Sequence, residues 1–411
     1  MKNICLYFQI HHPFSFQTFR FFDIGESRSY YDDLRIEREI QDAKTNYYIP
    51  TNNYLLKLIH QYKGNLRFSY NISGTALDQF LIYAPELIAS FRQLADTGLV
   101  EFTGNTAWHS IVSLTDKKDE FAENIKQNRQ RTEYYFGQKP TVFVNTDLLF
   151  TNQIAKIVAE TGYQAILSNG IKRVLQWRSP NYLYSSEDRK QIKLLFRNEK
   201  ISDELSATLT NLNQKEAREQ IKSLFAAMET IQPEEPIVNI YLNYKSLGGA
   251  NRPEKQQLLR LLIAKIIKDQ SYCFSLPSMM TEQYGPVSGI GTEEPICWIE
   301  HFHPEYYPGN LLQKDAIKQL FKLCQKVEST NNYNLKTDWH YLQSSDHFHL
   351  MDENHPYYQG NMTNSRIFKS KYEAYINYMN VLEDFKDRLI KNAQIEMSKK
   401  SVMRSTDKKI S

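Results

Sequence analysis

Polar and aromatic side chains follow the candidate β-strands of this chain, at the carboxyl end of each strand. In a closed barrel of parallel strands those ends share one face, and that face carries the reactive groups. Histidine, carboxylate, amide and indole groups on one rim suit a cleft that holds a sugar by hydrogen bonding and stacking. Polar loops also serve capping and turns, which account for part of the set. The strand-end residues are His11, His12 and Pro13; Asn71 and Ser73; Glu101, Asn105, Trp108 and His109; Asn145, Thr146 and Asp147; and Asn243, Tyr244 and Lys245.

A metal site is the first alternative chemistry. The ten histidines include the pairs His11/His12, His301/His303 and His347/His349. Zinc needs three or four ligands, and the chain has neither the HExxH nor the CxxC spacing. The GxSxG elbow of serine hydrolases and the GxGxxG and GxxxxGK[ST] phosphate loops are also absent from the sequence. We therefore expect no metal or other cofactor.

The elements that would position these residues alternate between short β-rich runs and helical patterns. Repeated βα units predict a parallel sheet with helices outside it, and seven or eight units over roughly 285 residues favour a closed barrel. The predicted strands are 3–10, 66–72, 99–103, 141–145, 164–167, 192–196, 237–242 and 273–276, and the predicted helices are 76–97, 118–136, 152–161, 214–228 and 253–268.

Beyond Pro295 the alternation stops, and residues 310–326 and 372–395 read as amphipathic helices. The predicted domains are a barrel over residues 1–290, a helical C-terminal domain over 291–390 and a basic tail over 391–411. The tail is rich in Lys and Ser, so we expect it to be disordered.

Charge and composition exclude several classes of partner. The 411 residues carry a formal net charge of +3, and residues 386–411 hold eight Lys or Arg against three acids, so the preceding 385 residues sum to −2. A near-neutral body does not suit nucleic acid. The start of the chain has no signal-peptide pattern, no apolar run is long enough to span a membrane, and the four cysteines show no disulfide spacing. These features predict a cytoplasmic protein with no membrane partner and leave its oligomeric state open.

Several segments resemble glycoside hydrolase family 57, in its intracellular α-amylase-like branch. They include FQIHHPFSFQTFRFFDIG (8–25), ISGTALDQF (72–80), GLVEFTGNTAWHSIVSL (98–114), VFVNTDLLF (142–150) and SSDHFHLM (344–351), in family order over nearly the whole chain. The resemblance implies an incomplete parallel (β/α)7 barrel, with a helical C-terminal domain that closes over the cleft. It also implies action on α-glucans, by retention and without a metal cofactor.

Part of the sugar-binding set of that family is kept. His11 matches the leading histidine of a His-Gln-Pro signature, in which His12 replaces the glutamine. The resemblance assigns the remaining substrate-binding positions to Glu101, to Trp108 (where the family has tyrosine), and to His109, Trp298, Asp346 and His347. We expect Tyr244 to join them at the cleft.

The two catalytic carboxylates of the family are both altered. Its nucleophile is a glutamate in a segment like FRNTEL, where this chain has FVNTDL and Asp147. Its general acid is an aspartate in a segment like MDYETFGEHQ, where this chain has LNYKSLGGAN and Asn243. Retaining hydrolysis needs two carboxyl groups, one to attack and one to donate a proton, and an amide can do neither.

The resulting hypothesis is an α-amylase-like protein that binds an α-glucan or maltooligosaccharide with lost or strongly reduced hydrolysis. Removing an acid weakens binding of the transition state more than binding of the ground state. One alternative is a working hydrolase or 4-α-glucanotransferase with a rearranged site, in which Lys245 or a histidine supplies the proton. Others are a non-catalytic partner of glycogen-metabolic enzymes and a folded relic without a ligand.

Overall fold

The computed structural model describes residues 1–410 apart from 27, 188–191, 211–216, 250–251, 299–308 and 353–366. The chain divides into two compact units, which are described separately. The first comprises Met1–His12, Leu34–His109 and Lys118–Pro304, and the second comprises Pro13–Asp33, Ser110–Lys117 and Glu305–Ser411. Among the described residues, no helix has the length and apolar content needed to cross a membrane.

Ten strands and eleven helices of four or more residues are described in the first unit, together with short 3₁₀ turns and one π-helical turn. The strands are β1 (Lys2–Ile10), β2 (Phe68–Ile72), β3 (Val100–Phe102), β4 (Val142–Val144), β5 (Ala165–Asn169), β6 (Tyr184–Ser186), β7 (Lys193–Arg197), β8 (Ile237–Asn243), β9 (Tyr272–Phe274) and β10 (Gly289–Ile290). The helices are α1 (Asp33–Ala43), α2 (Ile49–Gln61), α3 (Gly74–Tyr83), α4 (Glu86–Ala95), α5 (Lys118–Phe136), α6 (Asn152–Glu160), α7 (Lys172–Leu175), α8 (Glu199–Thr210), α9 (Ala217–Glu229), α10 (Pro253–Lys268) and α11 (Pro277–Gln283).

Seven of these strands form a parallel ring in the order β1, β2, β3, β4, β5, β7, β8 and back to β1. Pairing is sparse at two joints: β7 meets β8 through Arg197 and Asn239, and the end of β3 meets β4 through Gly104 and Phe143. A Cβ atom at Gly104 would lie 2.0 Å from the Tyr163 hydroxyl oxygen, so the second joint needs glycine. This ring confirms the predicted (β/α)7 barrel.

Side chains alternate along β1 between the barrel interior and the surrounding helices, as they must in a pleated strand. Cys5 and Tyr7 point inward, where they pack with buried residues of the neighbouring strands. Met280 of α11 joins the same apolar cluster, so this helix packs against the interior. The other members are Val142, Val144, Leu148, Ala165, Leu167, Leu183, Leu195 and Ile237.

Each predicted strand and helix of the barrel region has a counterpart in the structure, with boundaries shifted by a few residues. The predicted helix 76–97 is two helices, α3 and α4, because Pro85 lacks the amide hydrogen that a continuous helix would need. Five helices (α1, α2, α7, α8 and α11) and two strands (β6 and β10) were not predicted from the sequence.

The second unit is helical. Its helices are α12 (Leu311–Phe321), α13 (Cys324–Ser329), α14 (Tyr333–Leu342), α15 (Ser345–His349) and α16 (Lys371–Ile410). Helix α16 continues through the tail that composition predicted to be disordered, because residues 371–410 contain no Gly or Pro to end it.

Two excursions from the barrel region complete the second unit, which the contiguous ranges 1–290 and 291–390 did not anticipate. Within this unit Tyr30 donates a hydrogen bond of 2.5 Å to Asp384 of α16. Phe14 stacks on Tyr341 of α14, with ring centroids 3.9 Å apart. Aromatic and charge-assisted contacts thus hold residues 13–33 to the C-terminal helices.

Candidate active site

Asp147 lies in a tight turn just beyond the carboxyl end of β4. Its backbone is left-handed (φ 52°, ψ 25°), and the following Leu148 also has a positive φ of 55°. Each such residue costs about 1–2 kcal/mol unless the surroundings stabilise it. Asn145 provides part of that stabilisation, since its side chain accepts from the Thr146 amide at 3.0 Å and donates to the Leu149 carbonyl at 3.0 Å. The turn therefore holds a carboxylate that is only 6% exposed.

Trp298 contacts Asp147 twice. Its indole Nε1 donates to the carboxylate Oδ1 at 3.3 Å, and its backbone amide donates to the Asp147 carbonyl at 3.0 Å. The indole is partly exposed and also packs against the apolar barrel cluster. Trp298 is therefore fixed relative to the carboxylate by both main chain and side chain.

One imidazole ring lies beside the same carboxylate, and a second ring stacks on the first. His109 Nε2 is 3.7 Å from Asp147 Oδ1, and the His109 ring stacks on His11 with centroids 3.8 Å apart. His11 Nδ1 is 2.8 Å from the Ser73 hydroxyl. His109 is 3% exposed and left-handed (φ 53°), and its Nδ1 has no hydrogen-bond partner among the described residues. A buried imidazole nitrogen without a partner is suited to a ligand group.

His12 does not share this surface. Its Nε2 is 2.8 Å from the Tyr48 hydroxyl, inside the helix layer. The adjacent His11 and His12 therefore do not act as a pair of ligands, as alternation along an extended chain requires. His301 and His303 lie outside the described residues.

Asn243 occupies the end of β8 and is exposed. Its Oδ1 accepts a hydrogen bond of 2.9 Å from the Lys245 amide, which caps the short 3₁₀ turn that follows. The Asn243 side chain is thus an amide whose described hydrogen bond stabilises the turn that follows it. Lys245 has Glu39 and Asp42 of α1 as its charged neighbours, and burial lowers the pKa of its ammonium group.

Tyr244 does not line a cleft, which corrects the sequence-based expectation. It is 1% exposed and packs among Phe8, Tyr48 and Tyr70, between the sheet and its helices. Its hydroxyl donates to Asn52 Oδ1 of α2. Because side chains alternate at a strand end, the residue after Asn243 faces the helix layer, where a large ring is core.

Glu101 is buried in the middle of β3, with an exposed fraction of 8%. Its Oε2 accepts from the Ser278 hydroxyl at 2.7 Å and from the Ser278 amide at 3.1 Å, at the start of α11. Its Oε1 has no partner among the described residues. Burial raises the pKa of Glu101 to about 7, against the two bonds from Ser278 that lower it. Its role in substrate binding stays a prediction.

This buried acid predicts a pH-dependent stability. The folded-state pKa of about 7 exceeds the unfolded value of about 4.3, so the native state binds the proton more tightly. Stability should therefore fall as pH rises from about 4.5 to 7, by up to about 3 kcal/mol. Glu101→Gln should flatten this part of the urea-unfolding profile and be more stable than wild type at pH 8. The control Glu133→Gln, at an exposed glutamate of α5, should keep the wild-type slope, and a steep slope in Glu101→Gln would contradict the assignment.

The other predicted binding residues lie in both units. Trp108 precedes His109 in the first unit and is buried. Asp346 and His347 belong to α15 of the second unit, where Asp346 Oδ2 accepts from the Ser344 hydroxyl at 2.7 Å. The His347 ring stacks on Phe16 at 4.0 Å, and burial lowers the pKa of His347 to about 4. Contacts within the second unit hold both side chains in place. Their contact with substrate stays a prediction.

Two further residues at the strand ends, Tyr241 and Arg197, were not singled out from the sequence. Tyr241 precedes Asn243 by two positions on β8, and its hydroxyl donates to Asn71 Oδ1 at 3.5 Å. Burial and the charge of Asp147 raise the pKa of Tyr241. Arg197, at the end of β7, is buried and contacts Asn169 Oδ1 at 3.4 Å. The sequence feature that could have identified them is their position, since both lie near the carboxyl ends of predicted strands.

Comparisons with known proteins bear on this arrangement. The family model described as glycosyl hydrolase family 57 matches residues 5–290. A curated protein of Methanocaldococcus jannaschii, named "Putative alpha-amylase", is 30% identical over 376 residues, which cover 86% of this chain and 78% of that protein.

Solved structures share the fold. A branching enzyme of the same family from Thermococcus kodakaraensis, crystallised with glucose, superposes with a TM-score of 0.67 at 12% identity, over 94% of this chain and 90% of that chain. The 4-alpha-glucanotransferase from Thermococcus litoralis superposes with a TM-score of 0.61 at 12% identity, over 85% of this chain. This chain spans only 56% of the length of that glucanotransferase.

Proposed function

The chain belongs to glycosyl hydrolase family 57, and from this membership we propose that it binds an α-glucan while its hydrolysis is lost or strongly reduced. A relative named as a putative α-amylase, and structural neighbours named as a branching enzyme and a 4-alpha-glucanotransferase, support a role of the chain in α-glucan metabolism. The observation that carries the finer proposal is Asn243, an amide that caps its own turn at the position to which the sequence resemblance assigns the family's acid.

The groups that remain support ground-state binding. Asp147, His109 and Trp298 present a hydrogen-bond acceptor, an imidazole and an aromatic ring beside one another. A neutral glucan offers hydroxyl groups and apolar ring faces, which such groups recognise without net charge. Loss of the proton donor removes about 10²–10⁴-fold of rate, and this loss need not weaken substrate binding.

A direct test is calorimetry of the full chain with maltoheptaose, alongside a reducing-sugar assay. We expect saturable binding and no release of reducing ends above heat-killed protein. Asp147→Asn should weaken binding by about 10–100-fold, since a hydrogen bond to a charged group contributes about 1.5–3 kcal/mol. Asp96→Asn changes a surface aspartate at the end of α4 and should bind as the wild type does. Steady turnover would contradict the proposal.

A working enzyme with a rearranged site is the second candidate, and the Asp147–His109 pair favours it. The imidazole lies 3.7 Å from the carboxylate, and both residues hold left-handed backbone conformations, a form of strain that clusters at active sites. In such an enzyme His109 would supply the proton that Asn243 cannot. This alternative would be established if the purified protein hydrolyses or transfers α-glucan and loses that activity in both Asp147→Ala and His109→Ala.

The cytoplasmic location also stays a proposal. Its support is that Cys5, Cys273, Cys297 and Cys324 are free thiols, as a reducing compartment favours. Fractionation of the native host with an antibody to the chain would test it.

A further inference from the structure

A segment from Thr292 to Trp298, which we call the strap, runs antiparallel to the loop from Asp147 to Asn152. The Asn152 amide donates to the Thr292 carbonyl at 2.9 Å, and the Thr292 amide donates to Asn152 Oδ1 at 2.9 Å. Phe150 and Ile296 exchange two backbone hydrogen bonds of 3.1 Å. The strap thus pairs with the loop from Asp147 to Asn152 along its whole length.

The other edge of the strap is anchored to the barrel. Asn169, at the end of β5, donates its Nδ2 to the Cys297 carbonyl at 3.2 Å. Arg173 of α7 donates to the Pro295 carbonyl at 3.1 Å and forms an ion pair of 3.2 Å with Glu294. Backbone groups that are bonded on both sides leave the strap little freedom to shift.

At its end the strap delivers Trp298 to Asp147 through the two hydrogen bonds described above. An N–H bond to an ionised carboxylate is roughly twice as strong as a neutral one. The left-handed turn at Asp147 and Leu148 needs such external support to persist.

We propose that the strap, through Trp298, positions the Asp147 carboxylate, so that Trp298 is a positioning residue in addition to any contact with sugar. The proposal rests on the proposed function only for its ligand, an α-glucan held by Asp147. The strap fixes the carboxylate before the ligand arrives, which lowers the cost of ordering on binding.

Indole NMR tests the hydrogen bond without any glucan. The chain has four tryptophans, so ¹⁵N-tryptophan labelling gives four indole signals, and Trp298→Phe identifies one of them. We expect the Trp298 indole signal to move with pH as Asp147 ionises and to lose this movement in Asp147→Asn. Among the described residues, His109 and Tyr241 are titratable groups that interact with this carboxylate, so His109→Gln and Tyr241→Phe are included, and the pH-dependent movement of the Trp298 signal should persist in both. A Trp298 signal that ignores pH, or that titrates unchanged in Asp147→Asn, would overturn the proposal.

Maltoheptaose calorimetry as a function of pH separates positioning from stacking. Trp298→Phe keeps an aromatic ring but removes the donor, so affinity at pH 7 should fall about tenfold. The acidic limb of the affinity profile should also move to higher pH, since the ionised carboxylate loses a favourable bond. Trp177→Phe, which alters a tryptophan that is 86% exposed, should match wild type. An unmoved acidic limb in Trp298→Phe would reject positioning. Absence of wild-type binding would instead reject the glucan proposal, while the indole titration still decides the role of the strap.

Discussion

The double variant Asp147→Glu/Asn243→Asp is expected to release reducing ends from maltoheptaose at a rate at least about 100-fold above the background measured with wild type. An aspartate at 243 restores a group that can hold and donate a proton. General acid catalysis of this kind contributes about 10²–10⁴-fold to the reaction rate. A glutamate at 147 extends the carboxylate by one methylene, and a 1 Å misplacement costs about 100-fold. Two carboxyl groups about 5–5.5 Å apart are what retaining hydrolysis requires.

The structure tolerates the change at 243. Asn243 is exposed and uses only its side-chain oxygen, as acceptor from the Lys245 amide. Aspartate caps as well as asparagine, so Asn243→Asp should unfold like wild type. The matched control is Asp147→Ala/Asn243→Asp, which has the acid but no nucleophile and should be inactive. A double variant that folds, binds maltoheptaose and shows no turnover would mean that these two positions do not explain the loss.

Gly74→Ala is expected to lower both stability and glucan affinity. A Cβ atom at Gly74, the first residue of α3, would lie 1.6 Å from the Ala107 carbonyl oxygen. Alanine gains about 1 kcal/mol of helix propensity over glycine, but overpacking against a fixed backbone costs about 1–3 kcal/mol or more. Relief of the clash would move the loop that carries His109 away from Asp147.

Urea unfolding and maltoheptaose calorimetry measure the two effects. Gly285→Ala is the matched control, since no atom lies within 4 Å of the position of its Cβ. It should leave both measurements at their wild-type values. Gly74→Ala with wild-type stability and affinity would show that the close approach of α3 to Ala107 does not hold the His109 loop in place.

The sequence alone predicted the barrel because its signals are local. Buried β-rich runs alternate with helical periods at the spacing of βα units, and each pattern can be read within a short window. The positions of Asp147 and Asn243 at strand ends followed from the same reading, aided by the family resemblance. The prediction that Tyr244 lies at the cleft was wrong. A tyrosine ring next to a strand end can face either the cleft or the helix layer, and only the packing of the folded chain selects between them.

The tertiary structure decided the contacts between segments that are far apart in sequence. The strap reaches Asp147 across 151 residues, and His11 stacks on His109 from a different strand. The discontinuous second unit arises in the same way, from excursions after His12 and His109. Such contacts depend on the register and closure of the barrel, which set the distances between side chains to within an ångström. Register and closure produce no periodic pattern that could be recognised in the sequence. The sequence therefore determined which chemical groups are kept and lost at Asp147 and Asn243, and the fold determined which groups surround the carboxylate that remains.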